Sequence, residues 1–88
     1  MVFGPGDFIK EELEARDWTQ EDLSKITNLS PKIISQLINN KIHITYKTAQ
    51  VLGQAFNVSP DYWVQLDLEY QLNSNKERVQ ETEVDIKR

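Results

Sequence analysis

The chain has 88 residues, of which 39% are hydrophobic and 27% charged, with a formal net charge of −4. That balance suits a single domain built round one modest core. It contains no cysteine, which excludes a disulfide framework and thiolate metal sites. No apolar run approaches the roughly 20 residues of a membrane span. Residues 1–10 also lack the basic stretch and apolar segment of a secretory leader. A cytoplasmic protein without membrane contact is expected.

In chain order, Gly4-Pro5-Gly6 is a breaker, and Asp7 is placed to cap a helix running to about residue 16. Phe8, Ile9 and Leu13 make its apolar side, while Glu11, Glu12 and Glu14 face water. Thr19 then caps a second helix, with Asp22 three positions on as the short-armed version of a capping box. Leu23 and Ile26 are expected to face inward. Asn28 stands where a tight connection needs a residue that tolerates left-handed backbone. Ser30-Pro31 supplies a capping hydroxyl, followed by proline at the first helical position, where its missing N–H costs nothing. Ile34 and Leu37 face the core of this third helix, and Asn39-Asn40 ends it. Thr45 caps a fourth helix holding Tyr46, Ala49, Val51, Leu52 and Phe56. Ser59-Pro60 opens a fifth, with Tyr62, Trp63, Leu66 and Tyr70 on one stripe and Val64, Leu68 and Leu72 on another. Ile42-His43-Ile44 alternates but is too short to read as a strand. Beyond Leu72 the pattern dissolves, so residues 73–88 read as a charged helical or disordered tail, or as the start of a further C-terminal region.

The net acidity argues against nucleic acid, but its distribution argues for it. Residues 1–22 hold seven acids and two bases. From Leu23 to Pro60 there is neither Asp nor Glu, and the window carries Lys25, Lys32, Lys41, Lys47 and His43. A phosphate backbone responds to the local face, because screening limits the reach of distant charges. From Thr19 to Lys41, two short helices joined by a tight turn have the layout that sets a reading helix in the major groove, although periodicity alone would suggest only an αα-hairpin.

The segment TQEDLSKITNLSPKIISQLINNK resembles the helix-turn-helix of the XRE (Cro/cI-type) repressors. That family has glycine in the turn and near the end of the reading helix, where this chain has Asn28 and Asn40. Pro5-Gly6-Asp7-Phe8 and IHITYKTAQVLGQAFNVSPDYWVQLDLEYQL are similar to HigA-type antitoxins, the plasmid-maintenance antidotes. The resemblance implies an all-α, five-helix, lambda-repressor-like DNA-binding domain over residues 1–72. It also implies a homodimer on double-stranded operator DNA, repression of its own operon, and a cognate toxin protein as partner. A stand-alone repressor and the N-terminal part of a longer regulator with a metallopeptidase-like domain are the alternatives. No enzyme chemistry, metal or cofactor is expected from these residues: the single His43 and the absence of cysteine make no common zinc site.

On the third helix Lys32 and Gln36 fall opposite Ile34 and Leu37, with Ile33 and Asn40 on the flank. Gln36 suits adenine and Lys32 suits guanine. Ile33 is placed either to touch a thymine methyl or to be partly buried. Lys32, Ile33, Gln36 and Asn40 are therefore the expected base contacts. Thr19, Gln20, Ser30, Ser35, Asn39 and Lys41 carry donors suited to phosphate; the resemblance implies the same for Gln20. A terminal helix of a small domain buries one stripe. The Tyr62/Trp63/Leu66/Tyr70 stripe is expected mainly in the core, and Val64, Leu68 and Leu72 in the dimer interface.

Overall fold

A computed structural model describes residues 2–86, with side chains described through Ser74. It contains five helices in order: α1 Pro5–Arg16, α2 Gln20–Thr27, α3 Pro31–Ile38, α4 Tyr46–Phe56 and α5 Pro60–Ile86. The described residues include no strand, so Ile42 to Ile44 is plain loop. The structure has the all-α, five-helix form expected of the sequence.

Local chemistry sets the boundaries. Thr19, Ser30 and Thr45 are N-caps, and their hydroxyls accept from the backbone N–H groups of Asp22, Ile33 and Thr48. The first helix differs from expectation. It begins at Pro5, the N-cap is Gly4, and Asp7 is the third residue of the helix. The Asp7 carboxylate reaches back to accept from the Gly4 N–H at 2.8 Å. Asp7 thus supplies the return half of a capping box, and proline at the first helical position replaces a capping hydroxyl. Asp17, Asn28 and Asn57 end α1, α2 and α4 in left-handed geometry at φ 58°, 63° and 58°.

The core joins Ile9 and Leu13 of α1, Leu23 of α2, Ile34, Leu37 and Ile38 of α3, Ile44, Ala49, Leu52 and Phe56, and Trp63 of α5. Trp63 is fully buried, between Phe8 at 5.0 Å and Phe56 at 5.9 Å between ring centroids. Trp18 stacks on Phe56. Arg16 lies over Trp18 and Phe56, donates to the Phe56 carbonyl at 3.0 Å, and pairs with Glu12. That guanidinium offsets carbonyl charge at the end of α4 while its cation lies over the two aromatic rings.

Two inward assignments are corrected. Ile26 is half exposed, and Thr27 takes the buried place at the end of α2. Ile26 and Thr27, three and four residues beyond Leu23, both border its face, and Thr27 takes the buried place with its hydroxyl bonded to the Leu23 carbonyl at 2.7 Å. Tyr62 is also exposed, although its ring edge rests on Phe8 at 5.3 Å.

Candidate nucleic-acid interface

The α2–α3 unit is fixed by side chains that bond its turn. The Thr27 hydroxyl donates to the Leu23 carbonyl at 2.7 Å and accepts from the Leu29 N–H at 3.3 Å. The Ser24 hydroxyl donates to the Leu29 carbonyl. Asn28 turns the chain at φ 63°, and Leu29 packs on the core. With Leu23, Ile34 and Leu37 buried beneath, the angle between the two helices has little freedom to change.

The outward side of α3 is polar. Lys32 and Ser35 are exposed and Gln36 half-buried. Neither the Lys32 nor the Gln36 side chain makes a hydrogen bond or ion pair among the described residues. Ile33 is half-buried and packs against the core, which leaves only its outer edge to meet another molecule. Ser30 is exposed at the start of α3. At the start of α2, Thr19 and Gln20 are exposed. Asp22 lies there too, but its carboxylate is engaged by the Thr19 N–H at 2.9 Å. That backbone bond, then the Thr19 hydroxyl, hold the Asp22 carboxyl below its ordinary value against an opposing effect of desolvation, with the Lys25 charge adding least.

The far end of α3 differs from expectation. Asn39 is exposed, and its amide donates to the Ser35 carbonyl at 2.9 Å, closing the helix. Asn40 has φ 56°. Its Oδ1 accepts from the Gly6 N–H at 2.8 Å and its Nδ2 donates to Asp7 at 3.3 Å. Both ends of that carboxamide are therefore used to join α3 to the first turn of α1. The approach there is very close: a Cβ on Gly6 would lie 2.1 Å from the Ile38 carbonyl oxygen. Asn40, expected among the base contacts, is here engaged in packing α3 against α1. Past it, Lys41 and His43 are exposed.

Val64, Leu68 and Leu72 are 37%, 46% and 54% exposed, an apolar row outside the domain's own core. Sequence reasoning missed three features. Tyr46 is exposed beside Lys47 at the start of α4. Thr27 and Ser24 bond the turn. Asp67 is buried, and its position four residues beyond Trp63, on the core stripe, was the available signal. Among the described residues no group of three His, Cys, Asp or Glu side chains could hold a metal ion, and no helix is long and apolar enough to cross a membrane.

Residues 9–63 match the family described as Helix-turn-helix. The chain is 31% identical over 70 residues to virulence-associated protein A′ of Dichelobacter nodosus; the match covers 78% of this chain and 61% of that protein. The chain thus spans about three fifths of that relative's length. Among solved structures, the antitoxin HigA of Pseudomonas aeruginosa with the higBA promoter superposes with a TM-score of 0.84 at 22% identity, covering 93% of this chain and 90% of that one. An addiction-module antidote protein of a HigA family from Coxiella burnetii gives 0.85 at 24% identity, covering 93% and 91%. At these identities the likeness is one of fold.

Proposed function

This chain belongs to the Helix-turn-helix family, and from that premise we propose that it is an operator-binding antitoxin that acts as a homodimer and represses its own operon. One observation carries the DNA-binding part. The outward side of α3, inside the matched segment, presents the side chains of Lys32, Ser35 and Gln36 without hydrogen-bond or ionic partners among the described residues, in a 38-residue stretch free of acids. Lys32 and Gln36 read base edges, with the outer edge of Ile33 against a thymine methyl. Thr19, Gln20, Ser30, Ser35, Asn39 and Lys41 hold the phosphates on either side.

A single reading helix covers a short half-site, so firm binding needs two related by a dyad. The row Val64, Leu68 and Leu72 is the surface we assign to the second copy. The fold shared with HigA and the addiction-module antidote supports the antitoxin part, with a toxin protein as the further partner.

The test has two arms. Selection from a random duplex library is expected to enrich one two-fold sequence, bound more weakly as salt rises. Co-expression with the neighbouring gene is expected to yield a complex. No enriched sequence would remove the DNA reading. Enrichment without a complex would leave a repressor that has no toxin.

A further inference from the structure

Asp67 is a buried charge for which operator reading has no direct use. Its side chain is 7% exposed, on the side of α5 that also carries Trp63. Its Oδ2 accepts from Gln71 Nε2 at 2.7 Å and from the Ile44 N–H at 3.2 Å, and His43 Nδ1 lies 3.9 Å away. Taking a carboxylate out of water is unfavourable unless its bonds are supplied. Gln71 is a neighbour on the same helix. The Ile44 bond is different, because it spans 23 residues to the loop between α3 and α4.

That loop is pegged at two ends. The Asn40 carboxamide fixes the near end to α1, and Asp67 fixes the far end to α5. Between the pegs lie Lys41, Ile42 and His43, and Lys41 shares with Asp67 the lining of a cavity of about 40 Å³. The buried side chain of Ile44 adds apolar packing at the Asp67 end. The Lys41 N–H is bonded to the Gln36 carbonyl at 2.8 Å, so Lys41 opens the loop from the end of α3, and the path its side chain borders is closed at the far end by one carboxylate of α5.

We propose that Asp67 is a positioning residue for DNA binding: it holds the 41–44 loop so that Lys41 meets the phosphate backbone. The proposal rests on the operator-binding reading above. It gives α5 an influence on DNA affinity besides any part in dimerisation.

The experiment is a double-mutant cycle in the full chain, with the library-selected duplex and an unselected duplex of equal length as probes. Asp67→Leu removes the acceptor and fills the space, and Asp67→Asn keeps an oxygen for Ile44. Circular dichroism and thermal melting report folding. Asp67→Leu is expected to stay helical and to bind both duplexes about 10-fold more weakly, with the loss shrinking to under about 2-fold once Lys41→Ala is present. Asp67→Asn is expected to restore binding to within about 3-fold. Should Asp67→Leu lose its helical signal, Asp67→Ala takes its place in the cycle. An equal loss with and without Lys41, or unfolding of both the Leu and Ala variants, makes Asp67 a residue of the fold alone and overturns the proposal. Unchanged binding by Asp67→Leu overturns it too, while leaving the operator reading intact. Only failure of the unaltered chain to bind any duplex would remove that reading as well.

Discussion

Helices α3 and α5 open with the same two residues and then diverge. Ser30-Pro31 and Ser59-Pro60 each place a hydroxyl against a free backbone N–H, from Ile33 in one case and Asp61 in the other. Both helices bury a strong apolar side, Ile34, Leu37 and Ile38 in α3 and Trp63 in α5. Their outer sides are opposites. That of α3 is polar, its Lys32 and Gln36 side chains without partners among the described residues, while that of α5 carries Val64, Leu68 and Leu72 exposed. Start signals and core patterning therefore say where a helix lies. What it leaves outside says whether it suits a charged, hydrated partner or an apolar one.

The comparison can be pressed with substitutions, the strongest first. Trp63→Ala removes the buried anchor of α5 between Phe8 and Phe56 and should cost about 3–5 kcal/mol of folding stability, measured by denaturant unfolding. Stability within about 1 kcal/mol of the unaltered chain would show that α5 is held by its remaining contacts. Leu68→Glu should leave the domain helical by circular dichroism and monomeric by sedimentation. Its affinity for the selected duplex should fall about 100-fold, since the two half-sites no longer act together. A folded dimer would place the interface elsewhere, and an unfolded chain would assign Leu68 to the core.

Gln36→Ala tests the other side of the comparison. It should weaken the selected duplex by about 1–3 kcal/mol and spare an unselected one, whereas Lys41→Ala should weaken both alike and flatten the salt dependence. If Gln36→Ala weakened both duplexes equally, its contact would be to the backbone. The smallest effect concerns the cap of α2. The Asp22 carboxyl is held below its ordinary value by the Thr19 N–H first and the hydroxyl second. Its contribution is present above the unfolded-state pKa and is lost as pH falls below about 4 towards the lower, folded value. Melting scans of the chain and of Asp22→Asn should converge in that acid range. Curves that coincide throughout would show that the carboxylate adds nothing.

Much of the framework was legible because short-range chemistry writes it. Thr19, Ser30 and Thr45 are capping hydroxyls in sequence and in structure, and Asn28 turns where a turn residue was needed. The start of α1 was misplaced because its cap is Gly4, which has no side chain to advertise it, and because Asp7 bonds backwards. Hydropathy favours Ile26 over Thr27 for the buried place, which Thr27 takes because its hydroxyl is satisfied by the Leu23 carbonyl. At the interface, the outward places of Lys32 and Gln36 followed from helix periodicity. The engagement of Asn40 did not, since it depends on the first turn of α1, more than thirty residues away in sequence. Asp67 was hidden for the same reason, its bond to Ile44 being long-range.

The clasp between Asn40 and the first turn of α1 has a practical consequence for handling the protein. Val2 lies in the same groove as Ile38, Asn39 and Asn40, so the segment leading into α1 runs beside the end of α3. A purification tag or fluorescent fusion added ahead of residue 1 would start its path next to that surface. A basic tag there would add its own attraction to DNA and steepen the salt dependence, and a bulky one would obstruct the duplex. Affinities for this domain are best measured with the amino terminus left bare and any label carried beyond α5.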